Sequence, residues 1–183
     1  MIVLAAIIGL ASCSSRSGGV PDAAPSAAGI AAPGQKRLGH ASNSVEGLMN
    51  EALAAYAAGD TAALRGLLIT KEEFDAYLYP EFGVHYPAAR DTSAQARDFI
   101  WENHALTADK ALRRSLRELG GRRMDLIAVS FGEAAKTFPS YILHEGTEVK
   151  VRLEDGGEAD LLAFGSIVEM DGVYKLLSYR DRK

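Results

Sequence analysis

The period of the sequence changes at Gly120-Gly121. Before this pair, apolar residues recur at helical spacing; after it they stand in short β-branched and aromatic runs. Such a switch points to helices first and strands second. The fold class is therefore α+β, with N-terminal helices packed on a curved, mostly antiparallel sheet, because consecutive short strands joined by tight turns pair as hairpins. The strand runs are 124–131, 141–143, 147–153, 159–169 and 173–179. Glu145-Gly146, Asp155-Gly156-Gly157 and Asp171-Gly172 separate the later ones. Asp171-Gly172 is the strongest hairpin signal, since a type I′ turn needs positive φ at both central residues.

The helical half is punctuated by caps. Asn43, with Glu46 three residues on, predicts the start of a first helix. That helix carries Val45, Leu48, Met49, Ala52, Leu53 and Tyr56 on one face and stops at Gly59. Asp60 caps a short second helix bearing Leu64, Leu67 and Leu68. The capping box of Thr70 and Glu73 opens a third, with Phe74, Tyr77 and Leu78, which Pro80 ends. A loop is expected from Pro80 to Asp91. Thr92 with Gln95 begins the longest helix, which runs to Leu119, and Thr107 marks a place to divide it.

The chain opens with an apolar, uncharged run that ends in Leu10-Ala11-Ser12-Cys13. The run is shorter than the about 20 residues needed to span a bilayer and has the length of a signal-peptide core. The tetrad resembles the bacterial lipobox. That resemblance implies cleavage after Ser12, acylation of Cys13 by two or three chains including palmitate-type acyl groups, and anchoring of the mature protein in the cell envelope. Ser14 after the cysteine implies the outer membrane, facing the periplasm, where the organism has two membranes. Cys13 is the sole cysteine, so no intramolecular disulfide can form. No basic residue precedes the apolar run, which leads to the expectation of a true start upstream of Met1. The expected organisation is a signal peptide at 1–12, a lipid-anchored tether at 13–43 rich in Ser, Gly, Ala and Pro, and a domain at 44–183.

Residues 51–68, EALAAYAAGDTAALRGLL, resemble the opening of nuclear-transport-factor-2-like domains (the SnoaL and cystatin-like cone), in which an amphipathic helix ends in a Gly-Asp turn and a short helix follows. The helices-first, meander-last order is similar too. The resemblance implies a sheet curled into a cone with a pocket between its concave face and the helices. Members include ketosteroid isomerase, polyketide cyclases, transport factors and noncatalytic binding modules, so the fold leaves the function open.

A net charge of -4 gives no overall attraction to nucleic acid, and none is expected as a partner. Trp101 and His104, three apart on the long helix, are candidate pocket residues that place an aromatic wall beside an acid/base group; the plainer reading, which is preferred, is that Trp101 fills the core and His104 is a hydrogen-bonded helix residue. Tyr77 and Tyr79, with His85 and Tyr86 nearby, are candidates to line the cone mouth, or else a plain aromatic lid over the core. His144, beside a turn, is expected to be solvated. Scattered histidines without paired ligand spacing predict no metal and no cofactor. There is no nucleophile elbow or phosphate loop, and Asp125 and Asp160 on strands match no catalytic motif, so no catalytic residue is assigned. Arg113, Arg114, Arg117, Arg122 and Arg123 form the one basic concentration, read first as a solvated helix face and otherwise as a contact for anionic lipid head groups or for a partner's acidic surface. The expected function is a noncatalytic envelope lipoprotein that binds an apolar small ligand or an envelope protein. The alternatives are an isomerase- or cyclase-like envelope enzyme using His104 or a strand aspartate, and a structural subunit of an envelope complex.

Overall fold

Gly59 has φ 65°, a left-handed conformation open to glycine, and the backbone N–H groups of Gly59 and Asp60 close the helix on Tyr56 and Ala55. This ends α1 (Val45–Ala58), the first element of a computed structural model that describes residues 37–180. The expected signal peptide, Cys13 and most of the tether lie outside the described residues. The cap of α1 is Ser44 rather than Asn43: Ser44 is the extended residue whose hydroxyl accepts the Gly47 N–H at 2.9 Å. Asp60 caps α2 (Thr61–Gly66), and the Thr70/Glu73 box opens α3 (Lys71–Glu73), both as expected.

Pro80 does not end the next helix. The chain passes from α3 through a π-helical turn, Phe74–Leu78, into α4 (Tyr79–Phe82). Pro80 falls in the first turn of α4, where a missing N–H is tolerated. The expected loop thus begins later and contains a 3₁₀ turn, Pro87–Ala89. Next comes α5 (Ala94–Leu119), 26 residues long and capped by Ser93 rather than Thr92. It is undivided at Thr107, whose hydroxyl donates to the Asn103 carbonyl 2.8 Å away within the helix.

All named strand pairs are antiparallel. β1 (Met124–Phe131), β4 (Thr147–Leu153) and β5 (Glu158–Leu161) form a three-stranded sheet in the order β1-β4-β5. β2 (Lys136–Thr137), β3 (Ile142–His144), β6 (Ile167–Met170) and β7 (Val173–Leu176) form a four-stranded one, β2-β3-β6-β7. The run 159–169, expected as one strand, is therefore two, and the short β2 had no alternating pattern to reveal it. The sheets meet along chain segments they share. Only Glu145-Gly146 separates β3 from β4, and Gly132 donates to the Gly146 carbonyl at 2.9 Å. Between β5 and β6, Gly165 donates to Ser178 at 2.9 Å and Arg180 to Ala163 at 2.8 Å, carrying the pairing beyond β7. Glycine is required there, since a Cβ at Gly165 would stand 2.9 Å from the Ser178 carbonyl oxygen. The β6–β7 turn has φ 52° at Asp171 and 76° at Gly172, the positive pair expected for Asp-Gly.

The buried face of α1 (Leu48, Met49, Ala52, Leu53, Tyr56) shares one core with Val149, Val151, Phe164, Ile167, Leu176 and Tyr179. A second core joins Phe74, Leu78, Tyr79 and Phe82 to Phe138, Tyr141, Leu143, Val168 and Met170. The domain begins before Ser44. Leu38 is buried in the second core, and Ser42 exchanges backbone hydrogen bonds with Tyr174 at 3.0 and 2.7 Å. Residues 37–43 therefore belong to the packed unit and not to a tether. Among the described residues, no helix is long and apolar enough to cross a membrane.

Candidate functional site

Trp101, His104, Ala105, Ala108 and Leu112 share one face of α5 and form a wall of a cleft of about 240 Å³. The facing wall comes from the connection between α2 and α3 (Leu68, Ile69, Thr70) and from Leu177 just after β7. That connection is held to β7 by backbone bonds from Ile69 to Leu176 (2.8 Å) and from Leu176 to Leu67 (3.0 Å). The lining is mostly apolar. At the rim, Asp109 pairs with Arg65 at 2.6 Å and with Arg113 at 2.7 Å. The hydrogen bond from Arg65 is the main reason its carboxyl stays below the usual carboxylate range.

The imidazole of His104 lies in this wall with Nε2 2.8 Å from the Leu177 carbonyl oxygen. A carbonyl only accepts, so Nε2 carries the proton and Nδ1 is the basic nitrogen of the neutral ring. The ring stacks on Phe74 at 8° and sits 5.8 Å from Trp101, which itself packs 5.2 Å from Phe74. Burial pushes the His104 pKa down, partly opposed by the bond to Leu177. The unfolded chain therefore takes up a proton at a higher pH than the folded one. The stability contribution of His104 is present above the unfolded value of about 6.5 and is lost as pH falls toward the folded one. Thermal midpoints between about pH 8 and pH 5 should fall more steeply for the native protein than for His104→Gln; parallel curves would refute this coupling.

Tyr77 and Tyr79 do not join the cleft. Tyr79 is buried in the second core with its hydroxyl donating to the Asp91 carbonyl, and Tyr77 packs half-buried against the same core. His85 is exposed and bonds the Thr137 carbonyl at 2.9 Å. Tyr86 donates to Glu145 at 2.9 Å, and Lys136 pairs with that carboxylate. His144 is half-buried rather than solvated: its Nε2 is 2.8 Å from Glu169, and its ring stacks on Phe131 at 4.6 Å. Asp125 and Asp160 are exposed strand residues opposite Arg152 and Lys150. Among the described residues, no three His, Cys, Asp or Glu side chains gather as a metal site.

Sequence reasoning missed one polar cluster. Lys175, 1% exposed, donates to both oxygens of Glu73 and to the Gly39 carbonyl. Its signal was a lysine inside a strand that is otherwise apolar and aromatic. Searches against family models, curated proteins and solved structures found no match to this chain.

Proposed function

We propose that this chain is a lipid-anchored protein of the bacterial envelope whose domain binds a small apolar group in the Trp101–His104 cleft without catalysis. The observation that carries the binding reading is how the cleft's polar groups are engaged. The one N–H of the neutral His104 ring is held by Leu177, and the rim carboxylate Asp109 is paired with two arginines. What faces the cavity is then mainly Trp101, Leu68, Ile69, Ala105, Ala108 and Leu112. At about 240 Å³ the cleft suits a ring or a short alkyl segment, below the span of about 300–1,000 Å³ typical of drug-sized ligands. The anchor rests on the Leu10 to Cys13 tetrad and the apolar run before it.

We read the architecture as the nuclear-transport-factor-2-like cone. This is supported by the helix order, by α1 sharing a core with both sheets, and by the glycine joints Gly146 and Gly165 where the sheets meet. One observation favours the isomerase-like alternative: His104 Nδ1 is a basic nitrogen at a buried position.

The test is the native mass of the protein extracted from membranes in neutral detergent. The expected result is a chain that begins at acylated Cys13 and carries a noncovalent adduct that Trp101→Ala loses. An unprocessed chain from Met1 would overturn the anchor. An adduct retained in Trp101→Ala would overturn the cleft.

A further inference from the structure

Four arginines that the sequence scatters over 66 positions meet around a second cleft of about 440 Å³. Arg114 and Arg117 come from the last turns of α5, Arg122 from the turn after it, and Arg180 from the chain beyond β7. Arg180 is positioned by its backbone bond to Ala163, and Arg122 by its bond to Leu119 at 3.1 Å. The floor is apolar: Leu119, Ala159, Leu161, Leu162 and Ala163. No lining residue is shared with the Trp101 cleft.

The arginines of this region divide by partner. Arg113 pairs with Asp109 at 2.7 Å and Arg114 with Glu118 at 3.1 Å. Among the described residues, Arg117, Arg122 and Arg180 enter no ion pair, and all three line the cleft. Four arginines and two carboxylates, Glu118 and Asp160, thus line this cleft, in a chain whose net charge is -4. Ser115 is no donor to a ligand, since its hydroxyl is engaged by Leu112 and Tyr56. Arg117, Arg122 and Arg180, three arginines on one cleft that no carboxylate among the described residues claims, are the residues suited to a phosphate, which accepts paired N–H bonds from guanidiniums. The leucine floor beside them matches an alkyl chain. Asp160 adds an acceptor for a hydroxyl or ammonium group next to the phosphate.

We propose that this cleft binds a phosphate group carried on an alkyl chain, the chemistry shared by a phospholipid head and a soluble alkyl phosphate. The full chain in neutral dodecyl maltoside micelles is treated with phenylglyoxal, and labelling of each arginine is read by peptide mass spectrometry. Octyl phosphate should slow labelling of Arg117, Arg122 and Arg180 by on the order of tenfold and leave Arg113 and Arg123 unchanged. Arg180→Gln should remove most of that protection from Arg117 and Arg122 while leaving the thermal midpoint in place. Protection in phosphatidylglycerol mixed micelles, and not in phosphatidylcholine ones, would support the proposal with an anionic lipid as the source. Protection by octyl phosphate alone would support it with a soluble amphiphile. No protection, equal protection of Arg113 and Arg123, or equal protection by inorganic phosphate would overturn it.

Discussion

Lys175→Met is expected to lower the unfolding free energy by about 3–5 kcal/mol, the range for breaking a buried ion pair from one side. The ammonium of Lys175 has three hydrogens and three acceptors: the Gly39 carbonyl at 2.6 Å and the Glu73 oxygens at 3.0 and 2.9 Å. Glu73 in turn accepts the backbone N–H groups of Gly39 at 2.6 Å and Thr70 at 2.8 Å. Removing the ammonium leaves a carboxylate that is only 8% exposed without its counter-charge. Glu73→Gln should cost less, because the Lys175 ammonium keeps the Gly39 carbonyl and can still donate to the amide oxygen, whereas Lys175→Met leaves a buried carboxylate with no cation at all. The double variant should lose less than the sum of the singles, since each single strands the other's charge. Urea unfolding of the four proteins measures all three quantities. The same cluster ties residues 37–43 to α3 and β7, so the Gly39 amide should exchange faster in Lys175→Met. A loss under about 1 kcal/mol would mean that the pair behaves as an exposed one and that the strap is held by other contacts.

What could be read from the sequence were features set by a few neighbouring residues. The α1 stripe, the Gly59 stop, the Asp60 cap, the Thr70/Glu73 box and the Asp171-Gly172 hairpin each depend on local backbone chemistry, and each stands where the spacing put it. Two caps slipped by one residue because Asn43-Ser44 and Thr92-Ser93 each offer two competent side chains. Only the backbone conformation decides which one is extended. The division of 159–169 into β5 and β6 was hidden for a different reason: it is imposed by Ser178 and Arg180, which pair across the joint from a later part of the chain. The continuation past Pro80 rests on a π-helical turn, which single-residue propensities do not signal.

The site divides the same way. Trp101 beside His104 follows from helical spacing, but the wall opposite them does not. Leu177, the partner of His104, is 73 residues away. Lys175 was missed in the sequence, because only its neighbours Glu73 and Gly39, from distant segments, make it a buried cation. Arg180 follows the expected strand 173–179, and only the fold places it on one cleft with Arg117 and Arg122. In each case the missing information is a contact between distant segments.

Phe74→Ala should cost about 3–5 kcal/mol, as for other buried aromatic truncations, and should also open the Trp101 cleft. Phe74 is 1% exposed and stands where α3 turns π-helical. Its ring lies 5.7 Å from Tyr79, 5.4 Å from Phe82 and 5.2 Å from Trp101, with His104 stacked on it. Trp101 and His104 therefore rest on Phe74, while their other sides face the cleft. Trp101 is the sole tryptophan, so its emission reports this wall alone. In Phe74→Ala the emission should shift to longer wavelength and become more open to acrylamide quenching. Phe74→Leu, closer in volume and still apolar, should cost less and keep the emission near its native position. Unchanged emission with a loss under about 1 kcal/mol would mean that other residues hold the wall. If water does enter where the ring stood, the burial that holds the His104 pKa down is relieved. Phe74→Ala should then show a shallower dependence of stability on pH than the native protein, and the same unfolding series run at two pH values measures it.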